Sequence, residues 1–284
     1  AALIGFASGN IPISQCYIHE DVTVISGDTS SNKSAGGLMG WGTGTYTVSD
    51  CAVLATLSNP SGGVGAVLAN SWSSTITVTN TFANGAFGKN PGTIIMENCY
   101  TAVEDTIYNT DICALENMKG AAAETNMPKL DWENVWKTTD GFPEFAGEKI
   151  DTGAIWDGTV ADSYAGGTGT REDPYQISNG SQLALMIHDG DLSAGQFYVL
   201  TDDIYLNDTS ASNWKENNPK SWYSYYTNGN KWFQGTLDGG NHFVRGVYYN
   251  GEKNSVGLIP ATKGSVTVKN LQVADSYIES SGYA

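Results

Sequence analysis

The chain has 284 residues and a formal net charge of −16, with 14 Lys plus Arg and no basic run, which argues against nucleic-acid binding. Gly is frequent at 34, aromatic residues make up 11% and charged residues only 15%, a composition too apolar for disorder and too Gly-rich for a helical protein. No apolar stretch approaches the roughly 20 residues that a membrane-spanning helix needs, and four cysteines do not decide the redox compartment by count alone.

Short runs of Thr, Val, Tyr and Ile broken by Gly, Asn and Asp predict strands and turns from the first residue onward. The opening "AALIGF" has three relatives inside the chain: "GGLMGW" (36–41), "VGAVLA" (64–69) and "VGLIPA" (256–261). Each leads through a turn into a second short strand, "ISQCYI", "VSDCAV", "VTNTFA" and "VKNLQV". The inward residues of the two pieces are separated by 13 positions (Leu3 to Cys16), 13 (Leu38 to Cys51), 15 (Ala66 to Thr81) and 13 (Leu258 to Leu271). "MENCYT", centred on Cys99, reads as a degenerate further copy. Such regularity marks an internal repeat. Successive units lie about 30 residues apart, which predicts an all-β fold: a parallel β-solenoid whose coils stack at about 4.8 Å.

Further along, 109–130 is less strand-like, and a short helix around Cys113–Gly120 is expected to cover an end of the stack. "NGSQLALMIHDG" (179–190) reads as a capping helix, with Ser181 as N-cap and Leu183, Met186 and Ile187 on one face. Trp156 and Tyr164 are the expected anchors of the segment before it.

These stretches resemble the GLUG-motif repeat proteins of bacterial cell surfaces. "GGLMGWGTG…VSDCAV" resembles their coil, "AGGTGTREDPYQISNGSQLALM" their opening cap, and "VWKTTDGFPEF" their closing segment. The resemblance implies a right-handed parallel β-helix, an extracellular or bacterial cell-surface setting and no common catalytic residues. The order departs from the family's: the closing segment comes before the opening cap. Residues 1–145 therefore read as the back half of one solenoid, 146–164 as a junction, and 165–284 as the front half of the next.

That order directs attention to the two cut faces. If residue 284 ran on into residue 1, Leu258 and the next Leu3 would be 29 positions apart, inside the coil range. Ala1, Ala2, Leu3, Ile4, Tyr277, Ile278, Tyr283 and Ala284 are accordingly the expected polymer interface. The partner implied is another copy of the chain, head to tail, in a non-enzymatic secreted filament or surface stalk, with adhesion to glycans or a host surface as an added role.

Two other classes compete. Trp214, Trp222, Tyr223, Tyr225, Tyr226 and Trp232 crowd into the segment 213–233 and would suit a carbohydrate-binding module; a loop folded onto the stack or onto a neighbouring subunit accounts for them equally. A polysaccharide lyase or hydrolase needs two carboxylates across a groove. Asp202–Asp203 does not supply them, because adjacent strand residues point to opposite faces. No catalytic or metal site and no cofactor is expected, although the acidic surface allows weak cation binding. His19, His188 and His242 lie in unlike contexts. Cys16, Cys51 and Cys99 read as core thiols, with a Cys16–Cys51 disulfide left open as the alternative.

Overall fold

A computed structural model describes residues 1–27, 34–60, 63–88, 92–104, 110–146 and 154–280. The chain is mostly β, with 43% in strands and 11% helical, and its large sheets are parallel. One ladder runs through nine strands in the order Asp111–Ile112, Tyr100–Thr101, Phe82–Ala83, Ala52–Val53, Ile4–Ile18, Thr267–Ala274, Thr236–Asp238, Phe197–Leu200 and Tyr175–Ile177. The long strand Ile4–Ile18 occupies the middle. On one edge it pairs in parallel with Ile259–Ser265 and Thr267–Ala274, and on the other with Met39–Ser49 and Ala52–Val53.

Residues of like type stack from rung to rung. Val268, Ile13, Val48, Val78 and Met96 form one inward column, and Ile11, Tyr46, Ile76 and Ile94 another. Leu271, Cys16, Cys51, Thr81 and Cys99 follow at the next corner, so the second spaced mark read from the sequence is a structural column. The first mark needs one correction. Met39 pairs with Leu68, which sets Leu38 opposite Val67 rather than Ala66, and an irregularity between Gly42 and Gly44 absorbs the extra residue before the strands realign.

Each residue before that corner has a left-handed backbone: Gln15 (φ 49°), Asp50 (53°), Asn80 (50°), Asn98 (55°) and Asn270 (54°). Asn and Asp tolerate this conformation best. Their side chains also bond along the stack: Asn98 Nδ2 donates to Asn80 Oδ1 and Asn80 Nδ2 to Asp50 Oδ1, both at 3.1 Å. Gln15 is the misfit in the column, level with Asn270 and Asp50. Gln15→Asn is expected to raise stability by about 0.5–1 kcal/mol in chemical denaturation; an unchanged midpoint would mean that the corner carries no strain.

The strand pairs after the corner are buried on both sides. Tyr17, Ala52, Phe82 and Tyr100 line up on the face away from the main core. Residues 113–146 run along this flank and cover it with Met118, Met127, Leu130, Val135, Trp136 and Phe145. Trp136 packs edge-on to Phe82 at 5.0 Å and stacks on Phe145 at 4.7 Å. The segment expected to cover an end of the stack therefore covers a side. It holds short 3-10 turns at Leu115–Met118 and Gly120–Ala122 and one helical turn, Ala123–Asn126.

The helix Gly180–Asp189 forms where the sequence places it, with Leu183, Met186 and Ile187 buried. Its N-cap is Asn179, not Ser181: Asn179 Oδ1 accepts from the Gln182 nitrogen at 3.0 Å, while Gln182 Oε1 accepts from the Ser178 nitrogen. Trp156 lies against Gly180, where a Cβ would come within 2.5 Å of the Trp156 Cβ. Tyr164 stacks on Tyr175 at 4.5 Å.

Candidate functional site

The two faces that the sequence suggests are left open meet each other in this chain. Leu258 and Ile259 donate their backbone N–H groups to the carbonyls of Ala2 and Leu3, at 3.0 and 2.8 Å. On the opposite edge, Ile4 donates to Leu38 at 2.9 Å. The Ala1 nitrogen donates to the Val256 carbonyl at 2.9 Å, and Ala1, Ala2, Leu3 and Ile4 are all fully buried. A second sheet crosses the same seam, with Tyr277 and Ile278 paired to Thr23 and Val24. Tyr283 and Ala284 lie outside the described residues. The expected interface residues that can be placed thus form a seam between residues 1–27 and 255–280 of one chain, and none is presented as an open face.

Two glycines, Gly9 and Gly44, let the backbones close here. Gly9 is level with Gly264 on one side and Gly44 on the other. A Cβ on Gly9 (φ 114°) would stand 2.2 Å from the Gly264 carbonyl oxygen, and one on Gly44 (φ 149°) 2.0 Å from the Gly9 oxygen. Both φ values are open to glycine and rarely to other residues.

A charge cluster also spans the seam. The Asp275 N–H donates to Asp21 Oδ1 at 2.7 Å, and Arg245 Nη1 pairs with Asp275 Oδ2 at 2.6 Å. Desolvation within the cluster, reinforced by the neighbouring Asp275 carboxylate and partly offset by its N–H bond and by Arg245, pushes the carboxyl of Asp21, a residue still open to solvent, up to about 6. Asp21 then keeps in the folded state a proton that the unfolded chain has already shed. Stability must therefore fall as pH rises from about 4 through about 6. After solvent screening the effect is on the order of 1 kcal/mol. Melting curves of the parent and of Asp21→Asn should diverge as pH rises from about 4 to about 6 and stay apart above it, with the variant more stable; profiles parallel across that window would rule this out.

All four cysteines are buried free thiols, so the thiol-column expectation describes the geometry and no disulfide joins Cys16 to Cys51. The donors at this corner share one pattern: Cys16, Cys51, Thr81 and Cys99 each donate to the carbonyl two residues back, at 3.4, 3.1, 2.9 and 3.3 Å. In each case a left-handed residue stands between donor and acceptor, whereas Leu271 fills the same column with no donor. Burial raises the Cys51 thiol well above its usual range and pushes Cys99 up to about 11, which makes both poor nucleophiles.

The aromatic-rich segment 213–233 does not form one exposed site. Trp222 is 2% exposed, donates Nε1 to the Leu258 carbonyl at 3.0 Å and packs edge-on to Trp156 at 5.1 Å. Trp214 is buried against Tyr248, and Tyr223 is half-buried beside Trp222 and His188. Tyr225, Tyr226 and Trp232 remain at the surface, with Tyr226 51% exposed.

The histidines stay apart. His19 stacks on Tyr17 at 3.9 Å, His188 meets the edge of Tyr223, and His242 Nδ1 lies 3.0 Å from Asp203 Oδ1. Among the described residues no group of three or more His, Cys, Asp or Glu side chains comes together as a metal site would require. No family model, curated protein or solved structure matches the chain.

Proposed function

We propose that the protein is a structural unit of an extracellular or bacterial-surface assembly, a right-handed β-solenoid that joins head to tail through the seam just described. The observation that carries this reading is the seam's composition. It pairs residues 1–27 with residues 255–280, and the two halves are linked covalently only through residues 147–153. The same ladders form whether the two segments belong to one chain or to two. Each half alone would leave one edge of a long parallel strand unpaired, and such an edge invites pairing. The two surfaces differ, so exchange between chains is heterologous and propagates as an open filament unless it closes on itself. The cell-surface setting rests on the resemblance to GLUG-motif proteins.

The test uses two single-cysteine variants. Ser8 and Lys263 face outward on paired strands in register across the seam, and the four native thiols are buried. Chains carrying Ser8→Cys are unfolded, mixed with chains carrying Lys263→Cys, refolded and treated with a short bis-maleimide. A band of twice the chain mass, with filaments in negative-stain images, supports exchange between chains. Monomers alone at every protein concentration would refute it.

A further inference from the structure

A row of aromatic rings runs over the outer surface of the seam, and the stack does not need it for its interior. Tyr226 stands beside Tyr225 with ring centres 5.4 Å apart, and Tyr225 beside Trp232 at 4.8 Å. Trp232 meets Phe6 edge-on at 5.6 Å, and Phe6 stacks on Trp41 at 5.1 Å. The row exists because Ala261 separates the outer two strands. Phe6 pairs with Ala261, and Phe233 with Thr262, so Trp232 is level with Ala261 and its ring closes on Phe6 over a methyl group. Exposure grows along the row: Trp41 is buried, Phe6, Trp232 and Tyr225 are half-exposed, and Tyr226 is open.

Polar groups adjoin the rings. Phe233 points inward, so Trp232 and Gln234 share the outer face. Gln234 Nε2 donates to Asp191 Oδ1 at 2.9 Å in an exposed pair. Beyond it lies a depression of about 290 Å³ lined by Thr236, Lys263, Ser265 and Phe197.

We infer that this strip is a binding platform for a neutral polysaccharide chain. Stiff Tyr and Trp rings offer flat apolar faces at little entropic cost, which suits the C–H faces of successive sugar rings. The Gln–Asp pair and the hydroxyls beside it supply the donors and acceptors that sugar hydroxyls need. A net charge of −16 works against polyanionic glycans. Phe6 comes from one side of the seam and Trp232 from the other, so the platform is complete only where the seam is closed, within a chain or between two.

The test is calorimetric titration of the intact protein with cellohexaose, mannohexaose and chitohexaose, each up to millimolar concentration. At least one should bind, and Tyr226→Ala and Trp232→Ala should each weaken it by tenfold or more. Tyr226 is open to solvent, so its removal leaves the fold intact by thermal melting. Absence of binding to all three hexasaccharides, or binding unchanged in both variants, overturns the inference. A change of oligomeric state in either variant, without saccharide binding, would assign the strip to a protein contact and overturn it equally.

Discussion

Trp222→Ala is expected to destabilise the protein by about 3–5 kcal/mol, the usual cost of emptying a buried Trp site. For a chain of this size that lowers the melting temperature by on the order of 10 °C. The residue looks like a ligand contact in the sequence, yet its indole is enclosed by Trp156 and Tyr223, and its N–H is bonded to the Leu258 carbonyl. Leu258 in turn donates to Ala2, so the loss reaches the seam. Tyr226→Ala, a few residues away and exposed, should shift stability by no more than about 0.5 kcal/mol. Circular dichroism melts of the two variants side by side decide the matter; equal melting temperatures would place Trp222 at the surface.

Leu3→Asp carries the second large effect. Leu3 is fully buried in the main core, and its backbone bonds to both neighbouring rungs, donating to Gly37 and accepting from Ile259. A carboxylate there must be buried, protonated or expelled, at a cost of about 4 kcal/mol or more. The expected consequence is local: the seam opens while rungs from Gly36 to Ala83 persist. Limited proteolysis should then cut within 1–27 and 255–280 first. Leu3→Met, which keeps the volume, should cost less than about 1.5 kcal/mol and leave the cleavage pattern unchanged. Indifference to the aspartate would contradict the burial of this strand.

Particular residues explain what the sequence made legible. The constant spacing from Leu3 to Cys16, Leu38 to Cys51 and Leu258 to Leu271 reflects identical chain lengths per rung, so it located columns that the ladders then contain. Copy to copy, the spacing also placed Leu258 next to Leu3, but as a junction between two copies, whereas the ladder here joins them within one chain. The register failed by one residue at Ala66, because a strand irregularity near Gly42 leaves no mark in composition. The flank cover of 113–146 was missed for a different reason: its apolar residues follow no period. A signal was present on the other side of the contact. The pairs Cys16–Tyr17, Cys51–Ala52, Thr81–Phe82 and Cys99–Tyr100 put apolar or small residues on both faces of one rung, which means that both faces are covered. The aromatic segment was ambiguous in principle, since a Trp in a loop is equally suited to a surface and to a core. Only tertiary contacts separate Trp222 from Tyr226.

Backbone hydrogen exchange at the seam tests continuity of the stack most directly. Leu258 and Ile259 donate to Ala2 and Leu3, and Ile4 to Leu38, while Met39 donates to Val67 well inside one half. If the strand Ile4–Ile18 sits between Thr267–Ala274 and Met39–Ser49, the amides of Ile4, Leu258 and Ile259 should be protected as strongly as that of Met39. Rapid exchange at those three amides, with Met39 still protected, would mean that the two halves do not stack and would contradict the seam on which the proposed assembly rests.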